Sequence, residues 1–219
     1  MCGRFALATD KKVLEMLYDL EIRAEFPPRY NIAPAQDVLG VRLSPQNQNK
    51  EATFFKWGLV PFWADDQNIG NKMINARAET APQKPSFRNA FKKRRLLIPA
   101  TGFFEWKKEN GRKQPYYICR KDGRPFSLAG LWERWDKGEA PLETCTILTT
   151  DPNELVAPMH NRMPVIVPEE AFEDWLHSPP GSDLNNLLKP YPPEELTAYK
   201  VSRMVNNPAA DNEELIEPV

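Results

Sequence analysis

A cysteine directly behind the initiator methionine, as in Met1-Cys2-Gly3-Arg4-Phe5, becomes a bifunctional nucleophile once Met1 is removed. Cys2 then carries a free α-amine and a thiol on adjacent carbons. The amine of such a 1,2-aminothiol condenses with an aldehyde to an imine, and the thiolate closes a five-membered thiazolidine ring on the same carbon. An α-amine titrates near ~7.7 to 8.0 and a thiol near ~8.5, so both are partly available at neutral pH without strong tuning. The dipeptide alone is equally consistent with a small apolar residue at a chain end.

Other candidate groups lie far along the chain. In Ile74-Asn75-Ala76-Arg77-Ala78-Glu79-Thr80, extended backbone would aim Asn75, Arg77 and Glu79 to one face as an amide, a cation and a carboxylate. In Gly102-Phe103-Phe104-Glu105-Trp106-Lys107, strand alternation puts Glu105 on the face of Phe103, where desolvation would raise its pKa and suit it to acid or base work. His160 sits in a loop, where catalytic groups concentrate, and is equally read as a hydrogen-bonded structural residue. Phe62 and Trp63 follow Gly58 and Pro61 onto a turn; exposed there they could stack on bases, and buried they would be core. The run Lys92-Lys93-Arg94-Arg95, with Arg77, Lys84 and Arg88, offers phosphate contacts or a solvated face.

The rest of the composition says what must hold these groups. The 22 prolines and 6 tryptophans in 219 residues favour short strands and ordered turns over long helices. No repeat or linker divides the chain, so a single β-rich domain over residues 1–219 is expected. The formal charge of −1 is uneven: residues 1–100 hold 16 Lys and Arg against 10 Asp and Glu, and the acidic excess lies in the remainder. Three cysteines without a C-x-x-C pair point to a reducing compartment, two histidines leave little for a metal site, and no apolar run approaches the ~18 residues of a membrane span. A cytoplasmic protein without metal or cofactor is expected.

Periodicity predicts a helix from Asp10 through Leu20 with Val13, Leu14, Met16 and Leu17 on its core face, an ordered proline-rich loop over residues 26–34, and a hairpin of strands 38–43 and 53–57. A short helix over 87–91, strands at 116–119, 126–131 and 145–149, and a hairpin turn at Asp122-Gly123 follow. Cys119 and Cys145 fall in apolar strands and are expected buried. A helical turn at 153–157, a strand at 165–167, a helix opened by Pro168-Glu169-Glu170 with His177 at its end, a short helix from Asp183, a strand at 196–201 and a polar acidic tail complete the chain.

The combination of Met1-Cys2-Gly3-Arg4-Phe5, Arg29-Tyr30-Asn31-Ile32-Ala33-Pro34, Trp57-Gly58, Asn75-Ala76-Arg77-Ala78-Glu79-Thr80, Gly102-Phe103-Phe104-Glu105-Trp106 and Met159-His160-Asn161-Arg162-Met163-Pro164 resembles the SOS response-associated peptidase (SRAP) family of abasic-site processing proteins. The resemblance spans almost the whole chain in order. It implies an α+β fold, a single domain with a barrel-like antiparallel core flanked by short helices. It implies loss of Met1 and attack of Cys2 on the ring-opened aldehyde of an abasic site in single-stranded DNA, ending in a thiazolidine crosslink that shields the lesion. AP-lyase, crosslink-reversal and self-processing peptidase activities are implied alongside. Asn75, Glu105 and His160 match the family's catalytic positions: Asn75 to bond the sugar hydroxyl or oxyanion, Glu105 to shuttle protons, His160 to assist sugar opening and adduct reversal. Arg4, Arg77 and the Phe62-Trp63 turn match its DNA-binding features. The implied partner is abasic single-stranded DNA, met by a monomer at the nucleoid. Two other classes share parts of this set: an N-terminal-nucleophile amidohydrolase needs Cys2 alone, and a non-catalytic single-stranded DNA binder needs only the basic and aromatic positions.

Overall fold

The structure is a computed structural model that describes residues 2–219. In chain order these form β1 (Phe5–Leu7), α1 (Lys11–Tyr18), β2 (Arg29–Ile32), β3 (Asp37–Leu43), β4 (Lys50–Trp57), β5 (Asn75–Arg77), α2 (Arg88–Lys93), β6 (Arg95–Ala100), β7 (Gly102–Glu109), β8 (Arg112–Arg120), β9 (Phe126–Trp135), β10 (Leu142–Thr150), β11 (Met163–Pro164), β12 (Ile166–Val167), α3 (Phe172–His177) and β13 (Leu196–Lys200), with short 3-10 turns between and after them.

Five strands close on themselves in the order β10-β4-β3-β6-β9, with β9 returning to β10. This is the expected barrel core of a single β-rich domain. Four seams are antiparallel; the fifth, β4 to β10, is parallel, with Lys56 opposite Thr144 and Trp57 opposite Cys145. A parallel seam needs a long crossover, and residues 58–141 supply it. β5 also runs parallel to β10.

A second sheet, β13-β8-β7-β1-β2, lies against the barrel. Its alternation divides the core: Phe5, Phe103 and Ile118 join the barrel interior, while Ala6, Phe104 and Tyr117 face away. That outer face is covered by Val201, Val205 and Leu215, all fully buried, so the acidic tail is packed structure. Burying a valine or leucine side chain contributes about 1.5 to 3 kcal/mol, enough to hold the segment down.

Several local expectations change. α1 stops at Tyr18 because Asp19 turns left-handed (φ 47°), and Met16 is 76% exposed on the solvent face. Residues 29–32 are strand β2, paired with β1 where a loop was expected. Only residues 75–77 of the 74–80 stretch are strand, and Cys119 is partly exposed. The Asp122-Gly123 turn makes no hairpin: it carries the chain from β8 in one sheet to β9 in the other. The hairpin belongs to Asn110-Gly111, both at positive φ (48° and 76°), which joins β7 to β8.

Gly58 ends β4 at φ 133°, donating its N–H to Cys145 O (2.8 Å). A Cβ here would lie 2.7 Å from Gly70 O, a backbone atom that cannot swing aside. Gly58→Ala is therefore expected to lower unfolding free energy by about 2 to 4 kcal/mol, through strain and overpacking together, as a shift in urea midpoint will show.

Candidate active site

The first residues run into β1, whose Phe5 and Ala6 pair with Phe103 and Gly102 of β7, and the amide N–H of Phe104 donates to Arg4 O (2.9 Å). This pairing seats the fully buried Cys2 beside the strand that carries Glu105. From the other side Asn75, the first residue of β5, donates Nδ2 to the Cys2 carbonyl oxygen at 2.8 Å. Its Oδ1 is buried without a hydrogen-bond partner, an acceptor whose desolvation costs about 1 to 3 kcal/mol until something donates to it.

Glu105 faces inward on the side of Phe103, as alternation along β7 requires, and is 2% exposed. Burial pushes its pKa up to about 7 against an opposing bond from the Trp106 amide, so it titrates near neutrality. Burial also pushes the Cys2 thiol well above its ordinary value, and the Glu105 charge adds to the rise. Thiol and carboxylate thus share one desolvated enclosure.

His160 is half-buried at the end of a helical turn closed by bonds to Val156 O. Its Nδ1 lies 3.0 Å from the amide nitrogen of Arg162 and 3.2 Å from Arg162 O, so the backbone of that residue fixes the ring. Burial lowers the imidazole pKa and keeps it neutral at pH 7. Arg162 fixes the loop through Nη1 to Asp151 (2.8 Å) and Nη2 to Glu79 (2.8 Å) and to Thr149 O (2.6 Å). Thr149 lies opposite Arg77 across the β10–β5 seam, so the His160 loop is tied to the strand that carries Asn75. The structure therefore brings Cys2, Asn75 and Glu105 together and joins the His160 loop to the strand that carries Asn75.

The outer residues are placed less uniformly. Phe62 and Trp63 are 47% and 43% exposed on a turn that is itself rigid: Lys137 Nζ donates to Trp63 O (2.8 Å) and Trp135 Nε1 to Ala64 O (2.7 Å). Arg77 is exposed at the end of β5. Arg4 is half-buried, with Nη1 donating to Asn31 Oδ1 (2.7 Å) and Val205 O (2.6 Å). Glu79 does not line up with Asn75; it leaves the strand and pairs with Arg162. Half of the basic run is internal: Arg94 pairs with Glu133, and the buried Arg95 donates to the carbonyls of Phe91, Trp175 and Ser178.

The family model described as SOS response associated peptidase (SRAP) matches residues 1–208. The chain belongs to the SRAP family. Among SRAP relatives it is 43% identical to the abasic site processing protein YoqW of Bacillus subtilis, over 99% of each chain, and 32% identical to the abasic site processing protein YedK of Escherichia coli, over 100% of each. A crystal structure of a Bacteroides thetaiotaomicron protein superposes with a TM-score of 0.88 at 30% identity, covering all of both chains.

Three residues around this SRAP site had no role assigned from sequence. Arg162 stands two residues from His160 in a quoted motif, a spacing that could have marked it. Asn31 is fully buried although its motif reads as a loop, and Asp211 lies in the acidic tail beyond the family match, where composition gave no signal.

Proposed function

We propose that this protein processes abasic sites in single-stranded DNA by capping the lesion's aldehyde as a thiazolidine on Cys2, after loss of Met1. The observation that carries this reading is the seat of Cys2: its carbonyl is held by Asn75 while its buried thiol is near enough to Glu105, which titrates near pH 7, to feel that carboxylate's charge.

The order of bond formation follows from the protonation states. The thiol is held neutral by burial, so the Cys2 α-amine adds first to C1′ of the ring-opened sugar and gives a carbinolamine. Protonated Glu105 delivers its proton to the departing hydroxyl, water leaves and an iminium remains. The thiol passes its proton to the Glu105 carboxylate, and sulfur attacks the iminium carbon. One C–N and one C–S bond form, the C=O bond is lost, one water leaves and Glu105 is regenerated. Asn75 orients the nucleophile through Nδ2 and offers its vacant Oδ1 to a sugar hydroxyl. His160 serves as the acid or base that assists opening of the sugar ring. Where the thiol is slow, the iminium undergoes β-elimination and the strand breaks, so lyase activity and capping compete from one intermediate.

The exposed Phe62 and Trp63 offer aromatic faces for base stacking, and the exposed Arg77 supplies a cation for a phosphate. A stacked base is worth about 1 to 3 kcal/mol, so Trp63→Ala is expected to weaken binding to a single-stranded oligonucleotide by roughly tenfold while the crosslinking rate at saturating DNA is retained. Fluorescence anisotropy beside single-turnover gels separates the two; unchanged affinity would remove the turn from the DNA interface.

The function itself is tested by mixing the protein with a single-stranded oligonucleotide carrying one abasic site. A heat-stable band of adduct on a denaturing gel is expected, absent with an undamaged strand. Hydrolysis of a small amide without any DNA adduct would instead favour the amidohydrolase reading.

A further inference from the structure

We propose that residues 202–211 form a strap that positions the nucleophile and its acid for reaction, with Asn31 as the strap's anchor; the idea rests on the crosslinking function above. Asn31 is fully buried in β2 and every polar atom of its side chain is used. Its Nδ2 donates to three carbonyls of the strap, Val205 (3.3 Å), Asn207 (3.0 Å) and Ala210 (2.6 Å), while its Oδ1 accepts from Arg4 Nη1. The same Nη1 also donates to Val205 O (2.6 Å), so Arg4, two residues from Cys2, is held between β2 and the strap.

Asp211 closes the far end. Its Oδ1 accepts from the amides of Tyr30 (2.6 Å) and Asn31 (3.1 Å), and its Oδ2 from Arg29 Nε (2.5 Å). On the acid's side, Asn206 Oδ1 accepts from the indole Nε1 of Trp106 (2.7 Å), the neighbour of Glu105. Val205 packs with Ala6 and Phe104 behind the same strands. The strap thus grips β1 and β7 at the residues flanking Cys2 and Glu105, from the sheet face opposite the site. It touches neither reacting group, so Asn31 and Asp211 are positioning residues. An arrangement that lets a short N-terminal segment reach a fixed geometry removes motion that the reaction would otherwise have to freeze.

The test uses the full chain with Met1 removed and three variants: Asn31→Ala, Asn31→Asp, which keeps an acceptor for Arg4 but loses all three donations, and Asp211→Ala, whose side chain is only partly buried and so least threatens folding. The readouts are the single-turnover crosslinking rate at saturating abasic DNA, the ratio of cleaved to crosslinked strand, and affinity for a strand carrying a tetrahydrofuran abasic analogue. Displacing the amine and thiol by a fraction of an ångström is expected to slow crosslinking on the order of tenfold or more and to raise the cleaved fraction, because ring closure needs finer alignment than imine formation. Affinity for the analogue stays near wild type. A purely structural role lowers crosslinking and cleavage in proportion to folded protein, leaving their ratio unchanged. If Asn31→Ala does not fold, Asp211→Ala and Asn31→Asp carry the same reading. Folded variants that match wild type in rate and ratio, or that lose only affinity, overturn the strap. A wild-type protein that makes no heat-stable adduct takes down the function as well, which distinguishes the two failures.

Discussion

Cys2→Ala is expected to abolish the heat-stable adduct with abasic single-stranded DNA and to leave imine chemistry in place. After Met1 is removed, alanine still presents an α-amine at the same point, so the imine forms, is trapped by borohydride and proceeds to strand cleavage. The thiol that diverts it into a ring is gone. Because the variant removes one sulfur from a buried position without charging it, the fold is expected to lose only about 1 to 2 kcal/mol. The measurement is a denaturing gel with and without borohydride on the same reaction. Loss of both bands would mean that the amine is not the first nucleophile. A heat-stable band that survives in the variant would place the crosslink on another residue.

The second large effect belongs to Glu105. Glu105→Gln keeps the shape of the side chain and removes the proton that leaves with the hydroxyl and returns from the thiol; general acid–base groups of this kind contribute about 10² to 10⁴ in rate. With the carboxyl pushed up to about 7, the wild-type crosslinking rate should bend near that pH, and the glutamine variant should lack the bend. The same shift has a consequence for stability. A carboxyl whose folded pKa lies above its unfolded value near 4.5 binds its proton more tightly in the native state. Stability from this group is therefore full below the unfolded pKa and falls as pH rises toward 7, by about 3 kcal/mol across the window. Glutamine removes that slope, so at pH 8 the slowed variant is expected to be no less stable than wild type. Denaturant titrations at pH 5 and pH 8 check the sign; a wild-type protein that gains stability between those values relative to the variant contradicts the assignment.

How much of this was legible in the chain depends on the range of the interaction. Alternation along residues 102–107 correctly turned Glu105 toward Phe103, because strand geometry is local and Phe104 found its own small core on the other side. The turn at Phe62-Trp63 followed from Gly58 and Pro61 in the same way, though whether its rings face solvent or core stayed open until the structure showed them exposed. The β4–β10 seam could not be read, since it joins residues more than eighty positions apart with no turn signal between them. Asp122-Gly123 misled because a turn dipeptide fixes backbone sign, not the partner of the strand that leaves it; Asn110-Gly111, which does close a hairpin, was passed over. The basic run was overcounted for a related reason: Arg95 is the first residue of the buried strand β6 and spends its charge on internal carbonyls, as sequence spacing does not reveal. Glu79, read as sharing a polar face with Asn75 and Arg77, does not, because the strand ends at Arg77 and Glu79 turns to Arg162.

The central claim is that one residue supplies both atoms that cap the lesion. Intact-mass spectrometry of the adduct with an abasic oligonucleotide, followed by peptide mapping, addresses it directly. The expected species is the chain without Met1 plus the strand minus one water, stable to heat without any reductant, with the modification on Cys2. A crosslinked species that retains Met1, or one whose modified residue lies elsewhere, contradicts the account.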